Sequence, residues 1–262
     1  MSDTPNAEGA APIPPNLAIF TDFDGTLVEL AETPDAIVVP QELTHDIEHV
    51  RRVLGGAFAV ISGRAVADLD RYLPQGIALA GGHGVERRRA DGTIADEAPT
   101  GPDAAGDIAE RLSGFVRSHP KLILEPKHGA VALHYRRAPD LAESCLAAMA
   151  DAIADAPGYH VLEGKMVVEA RGPGAGKGNA IRAFMQEPPF RGRIPVFFGD
   201  DTTDEEGFVA AQELGGVGVK VGDGEPAAHV RTPDTQTARA IIRQLADRAA
   251  ISPLRVAEPQ RI

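Results

Sequence analysis

The order of apolar and polar segments in the first third of the chain most constrains its fold. Apolar segments that predict strands lie at Leu17–Asp22, Ala57–Ser62 and Ile77–Gly81, and segments with helical spacing, Pro40–Leu54 and Ala65–Leu73, lie between them. Strands that alternate with helices in this way form parallel sheets with helices on both faces. The sequence therefore predicts an α/β protein with a doubly wound parallel sheet.

The pattern changes after residue 85. Val85–Ala95 predicts a hairpin that turns at Asp91 and Gly92, and Ala98–Asp103 predicts a linker because it contains proline, threonine and glycine. Residues 99–171 then follow the order α-β-β-α-β-β, which indicates an inserted α/β cap domain. Its predicted helices are Asp107–Ser118 and Asp140–Ala154, and its predicted strands are Lys121–Glu125, Ala130–Tyr135, Tyr159–Glu163 and Met166–Ala170.

The chain returns to the first domain through the glycine-rich segment Gly172–Gly176. We expect a core made of residues 16–98 and 172–262, with the linker and the return segment as the hinges of the insertion. The predicted elements of the second core segment are the helices Asn179–Gln186, Glu205–Leu214 and Thr235–Ala249 and the strands Pro195–Gly199 and Gly216–Val221.

The net charge of −12 limits the partners of this chain. Its 262 residues include 38 Asp and Glu against 26 Lys and Arg, so nucleic acids and anionic membranes are poor partners. No segment approaches the roughly 18 continuous apolar residues of a membrane helix. A phosphorylated substrate would require local positive groups or a metal ion.

The single cysteine and the first fifteen residues are typical of a cytoplasmic protein. Cys145 lies in an apolar run and has no partner for a disulfide, which indicates a packed thiol in a reducing compartment. Residues 1–15 are rich in Pro and Ala and lack the basic start and apolar centre of a secretory signal. We expect a disordered tail there, and a monomer that works in the cytoplasm.

Two aspartates follow the first predicted strand directly. Asp22 and Asp24 lie two positions apart, at the end of a strand where parallel sheets place their ligands. Two carboxylates in one crevice can act as nucleophile and general acid/base, or can hold a hard cation such as Mg²⁺. The alternative is an ordinary turn, since Asp and Gly bend chains routinely.

Two further clusters precede predicted helices. Ser62, Gly63 and Arg64 follow the second strand, where a hydroxyl and backbone N–H groups can bind a phosphate oxygen. The alternative is a serine that caps the helix. Lys177 lies between two glycines and offers phosphate an ammonium group. A Walker A loop is excluded here, because two of its required positions hold other residues.

The strongest cluster follows the strand Pro195–Gly199. Five carboxylates occupy positions 200–206, which is more than the start of a helix needs. A cation must compensate part of this charge. Lys177 is expected to pair with Asp201 or Asp204.

These clusters together predict a magnesium-dependent phosphoryl-transfer site. Asp22, the backbone carbonyl of Asp24 and Asp200 supply the oxygen ligands that Mg²⁺ prefers. Phosphate monoesters hydrolyse very slowly in water, so a catalyst must neutralise the phosphoryl oxygens and place a nucleophile in line. Mg²⁺ and Lys177 would do the first and Asp22 the second, while Asp24 would reach the leaving group.

Taken in order, the four clusters resemble the four motifs of the haloacid dehalogenase (HAD) superfamily of phosphotransferases. The resemblance covers the larger domain, and the insertion resembles the α/β cap that closes over the site in this superfamily and selects the substrate. It implies a HAD-like core with an inserted cap. The implied roles are nucleophile for Asp22, general acid/base for Asp24, phosphate binding for Ser62 and Lys177, and Mg²⁺ binding for Asp200.

Polar residues near the ends of the cap strands are candidates for substrate contacts. By a period of two, Lys165, Val167 and Glu169 share one strand face, with Glu163 across the turn. Paired donors and acceptors of this kind suit sugar hydroxyls, and the alternative is a solvated hairpin with alternating charge. Further candidates are Arg64, His83, Lys127 and His134.

This combination resembles the trehalose-6-phosphate phosphatase family. The resemblance spans nearly the whole chain after the tail, and it implies a free-standing phosphatase in which Glu163, Lys165 and Glu169 contact the sugar. Phosphatases of sucrose phosphate or mannosylglycerate phosphate and sugar phosphomutases remain as alternatives with the same fold. A sugar-phosphate sensor without catalysis is the alternative outside enzymes.

Overall fold

A computed structural model describes residues 16–31, 36–95, 104–127, 129–164 and 166–251. The predicted tail at 1–15, the predicted linker at Ala98–Asp103 and Lys165 therefore lie outside the described residues. Among the described residues, no helix combines the length and the apolar composition that a membrane span requires.

A seven-stranded sheet forms the larger unit. Its order is β11-β10-β9-β1-β2-β3-β4, and all neighbours are parallel except β3 and β4. Every residue of the central strand β1 is buried, as expected for a strand covered on both faces. The strands are β1 Leu17–Thr21, β2 Phe58–Ile61, β3 Ala78–Gly81, β4 Glu86–Arg88, β9 Ile194–Gly199, β10 Val217–Val221 and β11 Val230–Thr232.

Five helices within the described residues belong to the same unit, and one of them is shorter than the sequence predicts. The helix expected over Ala65–Leu73 is a single turn, α2 (Val66–Leu69). Pro74 disfavours helical geometry at the residue before it, and Gly76 then turns with a positive φ of 78°. The other helices are α1 Gln41–Val53, α5 Lys177–Met185, α6 Glu205–Glu213 and α7 Thr235–Ile251.

The predicted hairpin after β3 is present. β4 leads into a turn in which the Arg89 N–H donates to the Thr93 carbonyl at 2.8 Å, and Gly92 has a positive φ of 86°. In contrast, β11 is not predicted from the sequence. This strand has only three residues, two of them exposed, so no apolar pattern marks it.

The inserted segment has the predicted element order α-β-β-α-β-β. Its four strands form a separate antiparallel sheet, called the cap sheet. Two helices, α3 (Ala105–Ser118) and α4 (Ala142–Ile153), cover one face, where the predicted core thiol Cys145 is buried. The other face carries charged residues. The strand order is β5-β6-β8-β7, with β5 Ile123–Lys127, β6 Ala130–His134, β7 His160–Gly164 and β8 Val167–Arg171.

Candidate active site

The carboxyl ends of β1, β2 and β9 bring three of the predicted motifs together. β1 lies between β2 and β9 in the sheet, so Asp22, Ser62 and Asp200 follow neighbouring strands at the same edge. The Asp22 N–H donates to the Phe198 carbonyl at 2.8 Å, which continues the β1–β9 pairing to the first aspartate. The fourth motif reaches this edge through Lys177, the first residue of α5.

Lys177 lies between two buried carboxylates. Its Nζ is 2.9 Å from Asp22 Oδ1 and 2.5 Å from Asp204 Oδ1. Burial raises the pKa of Asp22 well above its ordinary value, and the Lys177 ammonium opposes that rise. Burial alone lowers the pKa of Lys177, but Asp204 and Asp22 outweigh it and raise that pKa. The ammonium therefore stays charged beside the predicted nucleophile.

Asp204 contacts Lys177 and also fixes the acidic loop that begins at Asp200. Its Oδ2 accepts hydrogen bonds from the backbone N–H groups of Asp200 and Asp201, both at 2.9 Å. Asp201 instead accepts from the N–H of Thr202 and caps the short helical turn that follows. Of the two partners expected for Lys177, the structure thus selects Asp204.

The residues at this edge fit a hard divalent cation. Asp22, Asp200 and Asp204 each offer a carboxylate oxygen, and these atoms lie within 4.8 Å of one another. An all-oxygen donor set suits Mg²⁺. Both oxygens of Asp204 already accept hydrogen bonds, so Asp22 and Asp200 are the freer ligands. Gly25 leaves room for Asp200, because a Cβ at Gly25 would lie 2.2 Å from Asp200 Oδ2.

The side chain of Asp24 is engaged away from this cluster. Arg64 donates from Nε and Nη2 to the two oxygens of Asp24, at 2.7 and 2.8 Å, and from Nη1 to Asp68 at 2.8 Å. Its guanidinium lies over the rings of Phe23 and Tyr72. Arg64 was expected to contact the substrate, but in this structure it holds the predicted acid/base.

The Ser62 loop packs beneath His83. Ser62 is buried, and its Oγ accepts from the Arg64 N–H at 3.2 Å. A Cβ at Gly63 would lie 2.7 Å from His83 Nε2, so only glycine fits under the ring. His83 has a positive φ of 56° and connects two motifs through its backbone, because its N–H donates to Ser62 and its carbonyl accepts from Gly176.

The charged face of the cap sheet carries four of the polar residues in register. Glu125 on β5 and Glu169 on β8 flank Ala132 of β6 in one row. Lys127 Nζ is 3.4 Å from Glu169 Oε1, and His134 Nε2 is 2.8 Å from Glu125 Oε2. The hydrogen bond from His134 lowers the pKa of Glu125, so this carboxyl stays ionised. His83 Nε2 approaches the same face, 3.7 Å from Glu169 Oε2.

Glu163 lies on the opposite face of the cap sheet. It pairs with Val168, which packs into the apolar cluster under the cap helices, whereas Glu169 pairs with Leu162. Partners in register share a face. The expectation that Glu163 joins Glu169 in one substrate-facing group is therefore wrong.

Sequence reasoning missed three polar residues at these sites. Glu125 ends a predicted cap strand, and its place in the same row as Glu169, with β6 between them, depends on the strand order. Arg171 is fully buried and donates to Glu169 at 2.7 Å. Lys220 on β10 is buried, and its ammonium donates to the Asp200 carbonyl. A lysine inside an apolar strand was the available signal for the last.

Comparison with known proteins is consistent with this geometry. The family model described as trehalose-phosphatase matches residues 20–236. The chain is 44% identical over 217 residues to the trehalose-6-phosphate phosphatase of Escherichia coli K12, covering 82% of this chain and 80% of that one. It is 40% identical over 235 residues to a probable trehalose-phosphate phosphatase of Sinorhizobium fredii NGR234, covering 88% of each.

A solved structure agrees in fold. The crystal structure described as a trehalose-6-phosphate phosphatase related protein has a TM-score of 0.70 and 28% sequence identity. The match covers 88% of this chain and 97% of that one. The α/β fold of most of this chain is therefore shared with that structure.

Proposed function

Because the chain belongs to the trehalose-phosphatase family, and is therefore a phosphatase of the HAD fold, we propose that it hydrolyses trehalose 6-phosphate to trehalose and inorganic phosphate. The names of its relatives support the sugar. The single observation that carries the chemistry is the contact of Lys177 with Asp22 at 2.9 Å, next to Asp200, at the carboxyl edge of the sheet.

The proposed reaction proceeds through Asp22. A carboxylate oxygen of Asp22 attacks phosphorus while the bond from phosphorus to the sugar oxygen breaks, and Asp24 gives that oxygen its proton. Water then attacks the phosphorus of the aspartyl phosphate, and Asp24 accepts a proton from that water. Asp22 leaves as a carboxylate together with inorganic phosphate. Both oxygens of Asp24 accept from Arg64 in this structure, so one of them must leave Arg64 before Asp24 can carry the proton.

Positive groups and hydrogen-bond donors are proposed to surround the phosphoryl group. Lys177 neutralises phosphoryl oxygens, and the Ser62 hydroxyl with the N–H of Gly63 binds one of them. Asp22, Asp200 and the backbone carbonyl of Asp24 are the proposed ligands of Mg²⁺. When bound, Mg²⁺ supplies further positive charge against the phosphoryl oxygens. Asp201 and Asp204 hold the loop that carries Asp200 through hydrogen bonds to its backbone N–H groups.

The charged face of the cap sheet is the proposed sugar site. Its acceptors and donors, Glu125, Lys127, His134 and Glu169, lie on one face and suit sugar hydroxyls. His83 approaches that face from the core. Lys165, in the turn between β7 and β8, is a proposed contact that the described residues do not include.

A panel of phosphate esters tests the proposed function. Phosphate release from trehalose 6-phosphate, sucrose 6-phosphate, mannosylglycerate phosphate and p-nitrophenyl phosphate is measured with Mg²⁺ and with excess chelator. We expect the highest kcat/KM for trehalose 6-phosphate and no turnover in chelator until Mg²⁺ is restored. Binding without phosphate release would favour a sensor, and transfer between positions of one sugar would favour a mutase.

A further inference from the structure

Arg171 is a fully buried charged residue that the proposed reaction does not use. It ends β8, at the point where the chain leaves the cap sheet. Its side chain has no solvent exposure, and its Nε donates to Glu169 Oε2 at 2.7 Å. Among the described residues, its Nη1 and Nη2 have no hydrogen-bond partner.

A guanidinium in this state is poorly satisfied. Arginine stays charged at any ordinary pH and carries five N–H donors, and buried donors without acceptors cost free energy. The carboxylate of Glu206 on α6 lies 3.8 Å from Nη1, just beyond hydrogen-bond distance. A small approach of the cap to the core would therefore complete a charged hydrogen bond between Arg171 and Glu206.

Glu206 connects Arg171 with the segment that contains Gly176 and Lys177, which is called the catalytic loop. A Cβ at Gly176 would lie 2.3 Å from Glu206 Oε2, so the carboxylate packs directly against the residue before Lys177. This is also the amino end of α5, where backbone N–H groups favour negative charge. One line of contacts thus runs from Glu169 through Arg171 and Glu206 to the loop that carries Lys177.

Arg171 is also the closest partner of Glu169. Lys127 lies 3.4 Å from the other oxygen of Glu169, and His83 lies 3.7 Å away. Burial and the charges of Arg171, Lys177 and Lys127 lower the pKa of His83, so its ring is neutral. The direction of the Glu169 carboxylate therefore depends chiefly on Arg171.

We propose that Arg171 is a positioning residue that couples the sugar-facing carboxylate Glu169 to the catalytic loop through Glu206. The coupling aligns Glu169 for a sugar only when the cap rests on the core, and it thereby favours esters of a large sugar over small esters. It rests on the proposed function, since it requires Glu169 to contact the sugar.

The variants Arg171→Met, Arg171→Lys and Glu206→Gln test the coupling. The matched controls are Arg182→Met and Glu213→Gln, which remove a second Arg–Glu pair, an exposed one between α5 and α6. KM and kcat are measured for trehalose 6-phosphate and p-nitrophenyl phosphate with Mg²⁺, and each variant's Tm is recorded. The wild type must first hydrolyse trehalose 6-phosphate; failure there refutes the proposed function and leaves the coupling without its premise.

We expect Arg171→Met to lower kcat/KM for trehalose 6-phosphate about ten- to a hundred-fold more than for the small ester, mainly through KM. Glu206→Gln should show a smaller selective loss of the same kind, and Arg171→Lys should recover part of the loss. Both controls should match the wild type. Equal losses on both esters would reduce Arg171 to a support of the fold and overturn the coupling. Wild-type selectivity in Glu206→Gln would overturn it as well, and that variant is informative even if Arg171→Met does not fold.

Discussion

At the scale of single residues, Asp204 organises the candidate site. Its buried carboxylate bonds Lys177 on one side and the backbone of Asp200 and Asp201 on the other. A Cβ at Gly199 would lie 2.4 Å from the Asp204 Cγ, so the strand end must be glycine for the carboxylate to fit. The proposed phosphate-binding lysine and the candidate metal-binding loop are thus held by the same side chain.

Asp204→Asn should therefore lose both stability and turnover. The amide keeps the shape but has only one acceptor oxygen, so either Lys177 or the two backbone donors lose their partner. Breaking a buried ion pair costs about 3–5 kcal/mol. Thermal unfolding and phosphate release measure the effect, with Asp201→Asn as control because asparagine caps as well as aspartate. A wild-type Tm and turnover in Asp204→Asn would contradict this role.

The titration of Asp200 predicts how Mg²⁺ stabilises the protein at different pH values. Without metal, burial and then the charge of Asp204 raise the pKa of Asp200 from 3.8 to about 6. A raised pKa means that protonation of Asp200 favours the folded state over the unfolded state. This contribution to stability is complete below the pKa of the unfolded chain and is lost as the pH rises through about 6. As a proposed ligand, Asp200 would hold Mg²⁺ through its ionised carboxylate, so Mg²⁺ should stabilise the protein more at about pH 7.5 than at about pH 5.

Thermal unfolding with and without Mg²⁺ at the two pH values measures this difference. Asp200→Asn has no carboxyl to titrate at this position. Mg²⁺ should therefore raise its Tm only weakly, and this rise should differ less between the two pH values than in the wild type. An equal rise in Tm at both pH values in the wild type would exclude Asp200 as a ligand.

At the scale of elements, the cap sheet shows what a strand period cannot predict. A period of two correctly puts Val167 and Glu169 on one face of β8. It gives no information on the neighbouring strands, whose order is β5-β6-β8-β7. That order puts Glu125 in the same row as Glu169, with β6 between them, and puts Glu163 on the face that the cap helices cover.

Glu125→Gln and Glu163→Gln form a matched pair that tests this assignment. Glu125→Gln should lower kcat/KM for trehalose 6-phosphate about ten-fold more than for p-nitrophenyl phosphate, because the proposed hydrogen bond from a sugar hydroxyl keeps an acceptor oxygen but loses its charge. Glu163→Gln should change the ratio less than about two-fold, since surface substitutions have small effects. A larger selective loss in Glu163→Gln than in Glu125→Gln would indicate that the sugar binds near the turn between β7 and β8.

At the scale of the whole molecule, the sequence predicts the fold more completely than it predicts the contacts between side chains. Core strands, cap order and the strand-end positions of Asp22, Ser62 and Asp200 follow from apolar periodicity and from the parallel sheet. The bond between Arg64 and Asp24 does not, because it joins side chains of separate loops. The domain boundaries, monomeric state and cytoplasmic location stay predictions.

Turnover of an Asp22 variant tests the proposed covalent catalysis by Asp22. Phosphate release from trehalose 6-phosphate with Mg²⁺ is compared between the wild type and Asp22→Asn, after thermal unfolding shows that the variant is folded. The substitution keeps the shape and removes the nucleophile, so turnover should fall by at least about a thousand-fold. Phosphate release by folded Asp22→Asn at a rate close to that of the wild type would refute covalent catalysis by Asp22.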